Sequence, residues 1–231
     1  MSVRPVFIPR SEHPYFEEVR VVFTWFPGLA KSQQQKSISS LHEAALNLGI
    51  SPVLEISSKS TKELGVALSA FNLRLKTRAG DTMSVEAAFQ GSKVFEAGGP
   101  FTDLYAAESR EAKSDPRLRS SGAIIAFDFL GSVWPTEPKT MFYDWLWQRS
   151  LLQGHNEALQ KELCEYGGCT DIAFNPEKSL NCQARSAAIF VGLNRAGLLN
   201  QAFPRPADYR KLIAGGETAR GAVDEQPSLQ L

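Results

Sequence analysis

Cysteine is scarce in this chain. There are three, Cys164, Cys169 and Cys182, with no histidine close to them in sequence. Such a set does not suit a zinc site, and an odd number does not suit a disulfide framework. No metal is expected, and the thiols are expected to be reduced. Long apolar runs are missing too. Nothing approaches the roughly 18 residues that mark a membrane-spanning helix. Met1-Ser2-Val3-Arg4-Pro5 does not lead into the apolar core of a signal peptide. The expectation is a cytoplasmic protein without a membrane partner. Excess charge is absent, because Lys plus Arg and Asp plus Glu both number 25. Neutrality argues against long-lived, sequence-blind binding of nucleic acid, but it leaves room for a local basic rim and transient contact. No glycine-rich Walker pattern occurs, so nothing points to an NTPase. There is no internal repeat and no sign of a second core.

What is present fits one large globular domain: 231 residues, 43% of them hydrophobic, can build a core without staples. The domain is expected over 1–213. A loose tail is expected over 214–231, where glycine, charge and proline prevail without periodicity. Residues 3–9 and 16–26 read as two strands around a polar turn. Ser32 and Gln35 have capping-box spacing, and Ile38, Leu41, Ala45 and Leu48 then share a helical face up to Gly49. His42 lies beside that stripe and reads as a packed or surface histidine. Residues 51–56 read as a short strand. Residues 65–77 alternate like another, with Arg74, Lys76 and Arg78 on one side at its far end. That basic stripe suits protection of an edge strand first, and phosphate contact as the alternative. Arg110, Lys113, Arg117 and Arg119 form a second basic cluster. Residues 121–130 read as a buried strand, and Phe142, Trp145 and Leu146 as the core face of a helix. A short helix is expected over 156–165, then a small-residue helix carrying Ala184, Ala187, Ala188 and Val191.

The chain is organised around residues 84–95, read as a helix. Val85, Ala88, Ser92 and Phe95 fall on one face, and Glu86, Gln90 and Lys93 line a second at i, i+4 and i+7. Ser84 can cap the first turn, where Glu86 complements the positive helix end. A carboxylate, an amide and an amine in one row are either a solvated face or a reactive set. In the turn after residue 56, Ser57, Ser58 and Lys59 could hold a phosphate or simply form a polar turn. Trp134 and Tyr143 are candidates for stacking on a base, with aromatic packing as the alternative.

Glu-x-x-Phe-Gln-x-x-Lys-x-Phe over 86–95 resembles the helix signature of the NADAR (YbiA-like) superfamily. Leu-Ser-Ala-Phe-Asn-Leu over 68–73 resembles the family segment before that helix, with Ala70 in place of asparagine. Residues 171–174 and 180–185 are similar to the closing motif, an aspartate followed by a glycine-lysine-asparagine helix start. Ala173 and Phe174 stand where the family has tryptophan and glycine. Residues 54–60 and 142–146 resemble the branch of standalone NADAR antitoxins to DarT toxins, which ADP-ribosylate DNA. The resemblance implies an α+β fold, a single helix-rich compact domain with short antiparallel strands. It implies an N-glycosidase that removes ADP-ribose from guanine bases in DNA, without metal or redox cofactor. Its partners would be ADP-ribosylated DNA and a DarT-type toxin. Glu86, Lys93 and Asp171 would be catalytic. Ser57, Ser58, Lys59, Phe71, Gln90, Trp134, Lys139, Tyr143 and Asn181 would bind substrate. An exocyclic amine leaves an anomeric carbon poorly unless it is protonated or the sugar ring opens. The chemistry therefore needs a carboxylate as acid or base and a group that stabilises or captures the electron-poor carbon. Lys93 could capture it as an imine, or two carboxylates could activate water instead. Two other readings stand beside this one: an antitoxin that binds its toxin without turnover, and an N-glycosidase for a small riboflavin-pathway substrate.

Overall fold

The computed structural model describes residues 1–77, 79–175, 182–203 and 205–215. The chain opens with strands β1 (Ser2–Pro9) and β2 (Phe16–Phe23), helix α1 (Lys31–Asn47), strand β3 (Val53–Glu55) and the single-turn helix α2 (Glu63–Ala67). Strands β4 (Arg74–Lys76) and β5 (Thr82–Ser84) lead directly into α3 (Val85–Gly91) and β6 (Lys93–Phe95). Helices α4 (Ser109–Ser114) and α5 (Arg117–Ser120) precede β7 (Ile124–Phe129), β8 (Ser132–Trp134) and α6 (Met141–Leu151). The chain continues with α7 (Glu157–Leu163), β9 (Gly168–Thr170), α8 (Gln183–Arg195), α9 (Leu199–Ala202) and α10 (Pro206–Ile213). The class is α+β, with many helices and short strands that pair mostly antiparallel.

The chain divides into two units. The first comprises Met1–Ser69 and Gly154–Asn200. Its sheet has the order β2-β1-β9-β3. β1 and β2 pair antiparallel from Ser2 opposite Phe23 to Pro9 opposite Phe16, while β3 and β9 run parallel, with Glu55 opposite Thr170. Ile38, Leu41 and Ala45 of α1 close a core with Val6, Val21, Phe23, Ile50 and Ile172. Leu48, placed on the same stripe by its spacing, is the helix C-cap and is exposed. The expected capping box is not made: the N-cap is Ala30, and no side chain caps it. A strand over 65–77 also fails at its start, where α2 forms instead. A Cβ at Gly65 would lie 2.9 Å from that of Ser60 and collide with the Glu55 carbonyl, so a tertiary approach sets this turn.

The second unit comprises Ala70–Gln153 and the chain from Gln201 onward. It contains the β4-β5 pair, the sheet β6-β7-β8, and the helices packed on them. Its centre is a ring cluster. Phe142 lies 4.9 Å from Phe127 and 6.1 Å from Phe89 between centroids, and Trp134 lies 4.9 Å from Trp145. β7 is buried at Phe127 and Phe129 but begins exposed, with Ile124 and Ile125 facing solvent, so the buried-strand expectation holds for only part of it. Helices α9 and α10, which no stripe announced, close the described chain, and Tyr209 Oη accepts a 3.2 Å bond from Gln148 Nε2 of α6.

Candidate active site

The N-terminus of α3 is held by neighbours in its own unit. Val85 N–H donates to Leu73 O at 3.0 Å and Glu86 N–H to Ala70 O at 2.9 Å. Ser84 Oγ accepts from Ala87 N–H at 3.1 Å, the cap its sequence position suggested. These bonds satisfy the first-turn donors and fix the loop bearing Phe71 to the start of the helix. The helix ends sooner than its pattern implied. Every residue from Val85 to Gly91 is buried, and a Cβ at Gly91 would lie 2.6 Å from the Tyr105 ring. Ser92 is the C-cap, and Lys93 opens β6, opposite Phe127.

The row nevertheless forms. Gln90 Nε2 donates to Glu86 Oε1 at 2.9 Å, and Lys93 Nζ donates to Gln90 Oε1 at 2.6 Å. The amide thus turns its nitrogen to the carboxylate and its oxygen to the amine, the orientation that both charges require. The Glu86 side chain is only 7% exposed and also pairs with Lys113 Nζ at 3.6 Å. Lys93 Nζ sits 4.9 Å from the centroid of the Phe89 ring, which is packed on Phe127 and Tyr143. Burial in this aromatic seat pulls the Lys93 amine down to about 8, with Glu86 opposing the shift and Lys113 adding to it. An amine with that value can act as a nucleophile near neutrality. Phe71 is half-buried at the edge of this group, with Lys113 Nζ 5.3 Å from its centroid.

In the first unit a separate polar cluster surrounds Glu55. This buried carboxylate accepts from Ser57 Oγ at 2.7 Å, from Thr170 Oγ1 at 2.7 Å and from Ile172 N–H at 2.9 Å. Burial holds its pKa above the usual carboxylate range, against the effect of those donors. His42 Nε2 lies 2.9 Å from Thr170 Oγ1. Because that hydroxyl gives its proton to Glu55, the imidazole is its donor, and burial pulls the histidine down to about 4. His42 is thus packed and neutral, in line with the reading of its helix. Asp171 accepts from Ala173 N–H and Gln183 Nε2, both at 3.0 Å. Burial first, and then the Glu55 charge, push Asp171 up to about 7.

The remaining candidates divide clearly. Trp134 is fully buried in the ring cluster, with the Arg210 guanidinium 5.3 Å from its centroid, so its face is not open to a base. That corrects the stacking expectation: aromatic packing, the alternative, is what the ring does. Tyr143 is also buried, edge-on to Phe89 at 5.1 Å. Ser57 is buried and its hydroxyl is committed to Glu55, whereas Ser58 is exposed, Lys59 half-buried and Lys139 exposed. Asn181 lies outside the described residues, as does Arg78 of the basic stripe. Arg74 and Lys76 are exposed on β4, and Arg110 and Arg119 on α4 and α5. Arg117 is engaged by Asp115 at 2.9 Å and Asp103 at 2.6 Å, which removes it from the free basic surface. Glu55, Thr170 and the Lys113 pairing escape a reading of the sequence, since the contacts of Glu55 with Thr170 and Ile172 and of Lys113 with Glu86 join distant parts of the chain and no local pattern marks them.

A family model described as DarT1-associated NADAR antitoxin matches residues 2–222. No curated protein matches the sequence.

Proposed function

Because the chain belongs to the family of DarT1-associated NADAR antitoxins, we propose that it is an N-glycosidase removing ADP-ribose from guanine bases in DNA, and so reverses the modification made by a DarT-type toxin. The observation that carries this reading is the row of Glu86, Gln90 and Lys93, in which a buried carboxylate and an amine held near 8 are bridged by one amide. Glu86 is the acid–base group and Lys93 the nucleophile. Ring opening breaks the bond between the anomeric carbon and the ring oxygen, which gains a proton, and leaves an imine to the guanine amino nitrogen. The neutral Lys93 amine adds to that carbon. Glu86 carries the proton that lets the guanine nitrogen depart with the carbon–nitrogen electron pair. Water then displaces Lys93, and the net change is hydrolysis of one carbon–nitrogen bond.

Phe71, half-buried at the edge of the row rather than fully buried like Trp134, takes the stacking role proposed here, on the ring face away from Lys113. Asp171, in the first unit, is pushed up to about 7, a value suited to proton transfer. Ser58, Lys59 and Lys139 remain candidates for the pyrophosphate, and Arg74, Lys76, Arg110 and Arg119 for transient contact with the DNA backbone. The test is incubation with ADP-ribosylated guanine DNA and, separately, with free ADP-ribosyl-guanosine. Release of ADP-ribose supports the reading, and faster release from DNA supports the nucleic-acid substrate. Both substrates remaining intact would exclude it.

One observation favours a second reading, inhibition of a toxin partner by direct binding. The β7–β8 region exposes Ile125 at 55% and Val133 at 46%, beside the exposed Ile124 and Leu130. Small apolar patches are also normal on soluble proteins. If a turnover-dead Glu86→Gln protein still protects cells and co-elutes with the toxin, direct binding is the better account.

A further inference from the structure

We propose that Lys113, carried by α4, is a positioning residue for the same row: its ammonium holds the Glu86 carboxylate against Gln90 and so keeps it from Lys93. This rests on the roles given above to Glu86 and Lys93. Lys113 Nζ stands 3.6 Å from Glu86 Oε1, the same oxygen that accepts from Gln90 Nε2 at 2.9 Å. The placement is built into the packing of α4 on α3. Ala112 packs with Ala87 and Leu104, and Ser109 Oγ lies 2.7 Å from Oγ of the capping Ser84. The two ends of the row therefore differ. Glu86 has both an amide and an external cation on one oxygen. Lys93 has the Gln90 oxygen and the Phe89 ring.

Without Lys113, Lys93 would be the remaining ammonium of the row, and attraction to Glu86 would favour the charged pair over the neutral amine that attack requires. Lys113 also repels a proton on Lys93 directly. The other charged and titratable groups near Lys93 come from different elements. Asp128 follows Phe127 on β7, with Oδ1 accepting from Gly131 N–H at 2.9 Å. The Tyr105 hydroxyl lies 3.1 Å from Ser92 Oγ, and α6 contributes Tyr143, edge-on to Phe89. A substitution at Lys113 alters none of these. Its side chain is 59% exposed, so replacing it opens no core cavity.

The experiment follows Lys93 itself as well as turnover. Wild type, Lys113→Met and Lys113→Arg are treated with limiting acetic anhydride across a pH series, and acetylation of the Lys93 peptide is measured by mass. Release of ADP-ribose from ADP-ribosylated guanine DNA is recorded over the same series. The midpoint for Lys93 is expected near 8 in wild type. It should stay close to that value in Lys113→Arg and rise by about half a unit or more in Lys113→Met. The pH–rate curve should move with it, lowering kcat at neutral pH more than it raises KM. An unmoved midpoint overturns the inference. So does a rise in KM alone, which would assign Lys113 to a substrate phosphate. If the midpoint moves but no protein releases ADP-ribose, the positioning role stands and the N-glycosidase reading falls.

Discussion

Replacing Asp171 with asparagine should change how the stability of the fold depends on pH, in a direction the structure fixes. Asp171 is held at about 7, against an ordinary value of 3.8. Between those two values the folded protein binds more protons at this site than the unfolded chain does. Its contribution to stability therefore falls as pH rises through that window. His42, lowered to about 4, acts oppositely. It stays neutral when folded and charges when unfolded, so its contribution rises with pH between about 4 and 6.5. Comparing wild type with Asp171→Asn removes the histidine from the difference. Asparagine keeps one acceptor oxygen, for Ala173 N–H, and its amide nitrogen can meet Gln183 only once that side chain turns its own oxygen inward, a cost that is the same at every pH in this range. Measured from its value near pH 4, the stability of the variant relative to wild type should rise progressively up to pH 7, by at most about 1.4 kcal/mol per pH unit. For a chain of this size, each kcal/mol corresponds to roughly 2–4 °C in melting temperature. Thermal unfolding of both proteins across that range is the assay. A constant gap at every pH would refute the argument. A variant less stable throughout would show that Asp171 chiefly anchors its turn. The rate of ADP-ribose release should fall in the same variant if the carboxylate also takes part in chemistry.

Other outcomes follow from the row. Glu86→Gln should fold normally, since its amide can still meet Gln90, while turnover drops by about 10²–10⁴-fold. A folded variant with near-wild-type rates would remove Glu86 from the mechanism. The wild-type rate should rise about tenfold per pH unit below 8 and flatten above it, because only neutral Lys93 attacks. A rate already flat from pH 6 would mean that the amine is not used. Reversing the charges of Arg74, Lys76, Arg110 and Arg119 should weaken DNA turnover and flatten its salt dependence, each phosphate contact contributing roughly one unit of slope or less. If neither changes, those residues serve solubility alone.

The parts of this protein that were legible in its sequence are those set by local periodicity. The paired strands β1 and β2, the stripe of α1 and the small-residue α8 follow from their spacing. So does the Glu86, Gln90, Lys93 row, although for a partly mistaken reason. A continuous helix would place Lys93 at i+7. In fact α3 stops at Gly91, because Lys93, Val94 and Phe95 pair with β7. Strand pairing with residues some thirty positions away leaves no trace in the helical pattern. Trp134 was misplaced because an isolated tryptophan does not reveal which rings will surround it. In the sequence Lys113 is one charge in a basic cluster, and only the packing of α4 on α3 brings it to Glu86. Glu55 and Thr170 meet across β3 and β9, 115 residues apart, where sequence spacing carries no information.

The central claim is attack by Lys93 on the anomeric carbon, and borohydride trapping tests it most directly. Borohydride is added while the protein turns over ADP-ribosylated guanine DNA, and the digest is read by mass. The account predicts a reduced ADP-ribosyl adduct on Lys93, with Lys93→Arg as inactive as Lys93→Ala because guanidinium stays protonated. Steady release of ADP-ribose without an adduct, together with an active Lys93→Arg protein, would contradict it and leave water activated by carboxylates as the mechanism.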